Sequence, residues 1–135
     1  MLKSNMYVAF QTAIFMKLSG TSNVNDNCKG IYDYVPEDTK FPYIVIGDDD
    51  YDESNTKTSF GISIKTTINV WDGPKTMIPI KTLLHEINSA LSRDLNFEGI
   101  NENAEFVKVL STKVKRVTPD LVHGEITIEY LIEEE

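Results

Sequence analysis

Phe60-Gly61-Ile62-Ser63-Ile64-Lys65-Thr66-Thr67-Ile68-Asn69-Val70-Trp71 is the stretch on which the fold turns. Phe60, Ile62, Ile64, Ile68 and Val70 fall on one face of an extended chain, with Thr66 between them. Gly61, Ser63, Lys65, Thr67 and Asn69 fall on the other. A period of two is that of a strand whose faces meet different surroundings. One apolar and one polar face predict an antiparallel sheet covered on one side, since parallel strands are usually apolar on both.

Toward the C-terminus, Asp72-Gly73-Pro74 predicts a turn, and a helix follows to about Arg93 with Ile80, Leu84, Ile87 and Leu91 in register. Pro79 is compatible if that helix begins near Thr76 or Met77, because a first-turn N–H has no partner to lose. Phe106 to Val117 is a strand with a phase conflict. Val107 and Val109 favour one face, and Phe106, Leu110 and Val114 the other. A bulge near Ser111, or cover on both faces, resolves it. After a turn at Thr118-Pro119-Asp120, Ile126, Ile128, Tyr130 and Ile132 alternate with Glu125, Thr127 and Glu129 in a last strand, forming a hairpin with its predecessor.

Toward the N-terminus, residues 4 to 19 predict a helix with Tyr7, Phe10, Ile14 and Leu18 on one stripe, Ser4 as N-cap and Gly20 as stop. The polar run Thr21 to Asn27 is expected to be loop. Gly30 to Pro42 is irregular but rich in apolar residues, which suits a packed connection, and Tyr43 to Ile46 is a short strand ending at Gly47. Five acids occupy the six positions Asp48, Asp49, Asp50, Tyr51, Asp52 and Glu53. Their repulsion predicts an open, mobile acidic loop around 48–57. The order of elements favours an α+β fold: an antiparallel β-sheet with two main α-helices packed on one face, in a single domain over residues 1–135.

The chain has 135 residues and a formal charge of −8, with 41% apolar and 25% charged residues. This is an ordinary globular composition. The negative charge opposes tight duplex binding, which needs clustered Lys and Arg. It is compatible with a wall past which a phosphate backbone slides. A single cysteine, Cys28, excludes an internal disulfide. No stretch approaches the ~18 apolar residues of a membrane span, and the first ten residues carry no secretory pattern. Synthesis in the cytoplasm and no membrane partner are expected.

No motif assembles an active site. Leu84-His85-Glu86-Ile87-Asn88-Ser89 opens like a zinc-protease helix, but Ser89 stands where the second His belongs. Asp48, Asp50 and Asp52 have the spacing of the first ligands of a calcium loop, but Glu53 and Ser59 occupy its glycine and bidentate-glutamate positions. Lys29 beside Cys28 could favour a thiolate, although no His is near in sequence. No catalytic residue, metal ligand or cofactor is expected, and the chain is expected not to be an enzyme. Trp71 suits either an interface anchor or packing at a strand end. Lys113, Lys115 and Arg116 form a basic patch on an acidic chain. It suits either a solvated strand face or a surface that meets a neighbour's acids.

The segment Gly30-Ile31-Tyr32-Asp33-Tyr34-Val35-Pro36-Glu37-Asp38-Thr39-Lys40-Phe41-Pro42-Tyr43-Ile44-Val45-Ile46-Gly47 follows the first helix, and Val70-Trp71 precedes the second. In these residues, and in length and element order, the chain resembles the tail-completion or tail-to-head joining proteins of siphophages, of the kind found in phages of Gram-positive hosts. Lys29 is displaced by Gly30 from the place of the basic residue expected before Ile-Tyr-Asp. The resemblance implies a structural virion protein at the head–tail interface, made in the bacterial host. It implies a six-fold ring of copies, partners in the tail-tube protein and a head-completion or connector protein, and DNA passing through without sequence-specific binding. On that view Asp48, Asp49, Asp50, Asp52 and Glu53, with Lys113, Lys115 and Arg116, are expected at an assembly interface or the lumen. The alternatives are a small metal-dependent enzyme using the acidic cluster, and an acidic adaptor or inhibitor that binds a basic partner.

Overall fold

The chain runs in the order α1 (Met6–Ser19), α2 (Ser22–Asn25), β1 (Ile31–Tyr32), β2 (Tyr43–Glu53), β3 (Phe60–Asp72), α3 (Ile78–Leu91), β4 (Leu95–Asn96), β5 (Asn103–Thr118) and β6 (Leu121–Glu134). These elements come from a computed structural model, which describes residues 5–55, 60–73, 76–97 and 103–134. Ser4, Ser59 and Pro74, named above, and positions 56–57 of the expected acidic loop lie outside the described residues. The six strands form one sheet in the order β1-β2-β3-β6-β5-β4, and the architecture is a mixed α+β single domain.

The alternating stretch takes the centre of this sheet. Ile62, Ile64, Ile68 and Val70 of β3 are buried, and Thr66 among them is a buried polar residue. Across the β3–β6 ladder they oppose Ile132, Tyr130, Ile126 and Gly124. Ile126, Ile128, Tyr130 and Ile132 are all buried. The opposite face, called the outer face below, carries polar rungs. Ser63 donates to Glu129 at 3.0 Å, Thr67 and Thr127 share a hydrogen bond of 3.0 Å, and His123 Nε2 meets Asn69 Oδ1 at 2.7 Å.

The sheet is not wholly antiparallel. β2–β3, β3–β6, β5–β6 and β4–β5 are antiparallel, but β1 lies parallel to β2, with Ile31 opposite Ile44. The connection from Tyr32 to Tyr43 carries the chain back to its starting end, as parallel pairing requires. Lys29 N–H donates to Pro42 O at 2.7 Å and Ile44 N–H to Gly30 O at 3.0 Å, closing the base of the loop.

The stripe of α1 is Met6, Phe10, Ile14 and Leu18, not one that begins at Tyr7. A strict spacing of four holds these residues on one line. Tyr7 lies one position round the helix, is 57% exposed and meets the Tyr51 ring edge-on at 4.7 Å. Asn5 is the N-cap, accepting from Val8 N–H at 3.3 Å. The expected loop at 21–27 contains the single-turn helix α2, which buries Val24. There Asn25 Nδ2 donates to the end carbonyls Leu18 O at 3.2 Å and Ser19 O at 2.7 Å, meeting the acceptors that a helix end leaves unpaired.

α3 buries Ile80, Leu83, Leu84, Ile87, Ala90 and Leu91, and has Pro79 in its first turn. It sits so close to the sheet that a Cβ on Gly124 would lie 2.8 Å from Leu84 Cδ1 and 3.3 Å from Ile80 Cδ1. The Tyr130 hydroxyl donates to Leu91 O, fixing the helix end to β6.

The phase conflict in the fifth strand has a physical origin. The β5–β6 register shifts between Phe106 and Lys108, between Val109 and Ser111, and between Arg116 and Thr118. Each shift inserts one residue and changes which face the strand shows. The skipped residues Val107, Leu110 and Val117 are 45%, 38% and 45% exposed. The middle shift is the expected bulge near Ser111.

Residues 48–53, expected as open loop, are the second half of β2. The β2–β3 register slips between Gly47 and Asp49, where Gly47 has φ 127° and Asp48 φ 62°. Asp48 is the extra residue. Beyond it Asp49, Tyr51 and Glu53 oppose Thr66, Ile64 and Ile62, while Asp50 and Asp52 oppose Lys65 and Ser63. Alternation keeps Asp48, Asp50 and Asp52 exposed, where water screens their repulsion.

Candidate functional site

Two strand edges carry the charges singled out in the sequence. β1 covers β2 only at Ile44 and Val45, so among the described residues β2 has no strand outside it from Ile46 to Glu53. β4 covers β5 only at Asn103 and Ala104. Phe106 N–H donates to the Asp94 carboxylate at 2.8 Å, and from Val107 onward no described strand lies outside β5. Among the described residues the sheet therefore has two uncovered edges of opposite sign, one acidic and one basic.

On the acidic edge, Asp48, Asp50, Asp52 and Glu53 are exposed and Asp49 is half-buried. Asp49 is set apart from the others. Its Oδ1 accepts from the Thr66 hydroxyl at 2.6 Å and its Oδ2 from the Tyr51 hydroxyl at 2.9 Å. Burial and the neighbouring Asp49 charge push the Tyr51 phenol well above its ordinary range, so Tyr51 remains a donor. Asp49 is thus a structural acceptor beneath α1. The calcium-like spacing of Asp48, Asp50 and Asp52 lies along a strand, which separates alternate residues by about 6.6 Å instead of wrapping them round a point. Among the described residues no three His, Cys, Asp or Glu are grouped to hold a metal.

On the basic edge, Lys113 Nζ lies 3.9 Å from Glu125 Oε1 and Arg116 donates to Pro119 O at 3.3 Å. Lys108, Lys113 and Lys115 oppose Glu129, Glu125 and His123, so all three stand on the outer face. Asp50 opposes Lys65, which in turn opposes Glu129, placing Asp50 and Asp52 on that same face. The structure brings the acids together on one edge and the basic residues together on the other. It does not join the two sets within one chain.

Neither edge is purely charged. Tyr7, Val8, Phe15 and Met16 are exposed along α1. Between α1 and the β2 edge lie two clefts, of about 310 Å³ beside Phe15, Tyr34 and Ile46 and about 400 Å³ beside Tyr7, Gln11 and Asp49. A third, of about 570 Å³, lies between α1 and Leu95.

At the far end of the outer face Trp71 stacks on His123, with centroids 4.2 Å apart, and Phe41 stacks on Tyr43 at 5.5 Å. Trp71 is therefore packed against its own sheet. Burial lowers the His123 pKa, Glu125 raises it and Lys115 lowers it. Burial raises the Cys28 thiol, against a smaller lowering by its Gly30 backbone contact, so the expected thiolate tendency from Lys29 does not arise. His85 is exposed on α3. Among the described residues no helix is long and apolar enough to cross a membrane.

The inward Asp49 and the exposed apolar residues of β5 were not identified in the sequence. The conflicting alternation from Phe106 to Val114 was the signal for the latter.

The profile of a family described as "Tail completion protein gp17" matches residues 12–133. No curated protein sequence matches significantly. Among solved structures, a chain of the virion of a native gene transfer agent particle superposes with a TM-score of 0.80 at 20% identity, over 98% of this chain and 100% of that one. The gp17 protein of bacteriophage SPP1 superposes with a TM-score of 0.67 at 25% identity, over 95% of this chain and 91% of that one. The first likeness is one of fold; the profile spans nearly the whole domain. The chain belongs to the tail completion protein gp17 family and is a structural protein of the phage tail, not an enzyme.

Proposed function

We propose that this protein completes the tail tube and joins it to the head connector as a ring of copies, six in number, through which DNA passes. The observation that carries this role is the family match over residues 12–133. The likeness to a chain from a virion particle is consistent with it. The partners are other copies of the chain, the tail-tube protein and a head-completion or connector protein. A charge of −8 per chain makes the ring repel phosphate, so DNA moves past without being gripped. Asp48, Asp50, Asp52 and Glu53, with Lys113, Lys115 and Arg116, belong to the assembly surfaces or the lumen. Asp49 leaves that set because its carboxylate is held internally.

The test is electron microscopy of particles from phage lacking this gene. Tails of abnormal length, or complete tails unattached to filled heads, are expected. Intact infectious particles would overturn the proposal.

A further inference from the structure

We infer that neighbouring copies join head to tail through their sheet edges, the basic β5 edge of one seating on the acidic β2 edge of the next, so that the sheet continues from copy to copy. An uncovered edge offers backbone N–H and C=O groups to an incoming strand. Among the described residues there are two such edges, β2 from Ile46 to Glu53 and β5 from Val107 to Thr118. Two β2 edges repel through Asp50, Asp52 and Glu53, and two β5 edges through Lys108, Lys113 and Lys115. Only unlike edges attract. Pairing between unlike surfaces of identical chains is head-to-tail, and it closes into a ring when the rotation between copies allows.

Strand direction agrees. β2 is antiparallel to β3, β3 to β6 and β6 to β5, so β5 runs opposite to β2. A second copy whose sheet points the same way therefore presents β5 antiparallel to β2, and the existing ladder type continues. The faces also agree, because Asp50 and Asp52 stand on the outer face of one edge and Lys108, Lys113 and Lys115 on the outer face of the other. Apolar surface completes the match. The bulges of β5 expose Val107, Leu110 and Val117, while Tyr7 and Phe15 of α1 stand exposed beside the β2 edge, with the two clefts between helix and strand.

This interface rests on the ring described above, and its test separates the two. Phage lacking the gene is complemented with the full chain and with variants, and the amount of chain in purified particles is measured by immunoblot. Asp50→Lys with Asp52→Lys, and separately Lys113→Glu with Lys115→Glu, are expected to reduce incorporation at least tenfold. The four changes together are expected to recover most of it. Leu110→Arg, which alters one exposed side chain, is expected to reduce incorporation with an unchanged melting temperature of the purified chain. Normal incorporation of each two-residue variant overturns the edge pairing. So does failure of the four-residue variant when it melts like the parent. Absence of the parent chain from particles overturns the ring itself.

Discussion

The Asp49 carboxylate accepts the Thr66 hydroxyl at 2.6 Å, and through this contact an acidic strand end is tied to the middle of the core. Thr66 is 1% exposed. Asp49→Ala leaves its hydroxyl buried without that acceptor, and an unsatisfied buried group costs about 1–3 kcal/mol. Asp50→Ala, on the exposed side of the same strand, should change stability by no more than about 0.5 kcal/mol. Urea unfolding of the two variants measures the contrast.

Gly124 is where α3 comes nearest to the sheet. Gly124→Val is expected to destabilise the domain by about 1–3 kcal/mol, the usual cost of overpacking a filled core. Gly124→Ala should cost less, because the atoms it meets are the flexible ends of Leu84 and Ile80. Midpoints of denaturant unfolding at constant m-value give both differences.

Tyr130→Phe removes the hydroxyl that reaches Leu91 O and keeps the ring that meets Phe10 and Phe106. A loss of about 1–2 kcal/mol is expected, because a buried carbonyl loses its donor while the packing is unchanged. Amide hydrogen exchange should localise the change to the C-terminal turn of α3.

His123 gives a dependence on acidity. Its pKa is lowered in the folded chain, chiefly by burial. Below its ordinary value of about 6.5 the unfolded chain therefore binds more protons than the folded one, and stability falls as pH falls through that value toward the folded pKa. His123→Gln should flatten this part of the profile, while loss of the stack on Trp71 lowers stability by a similar amount at every pH. Urea midpoints between pH 5 and 8 for the two proteins test it.

The elements most legible in the sequence are those with an unbroken period. Ile62 to Val70 and Ile126 to Ile132 alternate without interruption, and both lie at the sheet centre where one face is core throughout. α3 was legible for the same reason, its buried positions recurring at helical spacing. Legibility ended where one residue breaks the period. Ile44 and Ile46 share a face, but beyond Asp48 the inward positions are Asp49 and Tyr51, so the strand loses its apolar signal where its acids begin. The parallel β1 strand is two residues long and carries no periodicity at all. In α1 the choice between Met6 and Tyr7 turned on one position of an apolar run, which only packing against α3 and the sheet decides. Of the expected assembly residues, Asp49 was indistinguishable from its neighbours, because nothing local records that Thr66 lies opposite it.

Asp48, Asp49 and Asp50 are three identical letters, and in an alignment a gap could be drawn beside any of them at equal score. The structure distinguishes them: one is supernumerary, one faces the core and one faces water. Losing a single codon here would remove the supernumerary residue and leave a plain ladder, with Gly47 still opposite Thr67 and the next Asp still opposite Thr66. Every side chain from that point to Glu53 would keep its face, Asp50 and Asp52 toward solvent and Tyr51 toward the helices. A stretch that looks like spare acidic filler therefore has one residue it can lose without reversing the strand. Relatives should be aligned through it by strand parity rather than by sequence identity.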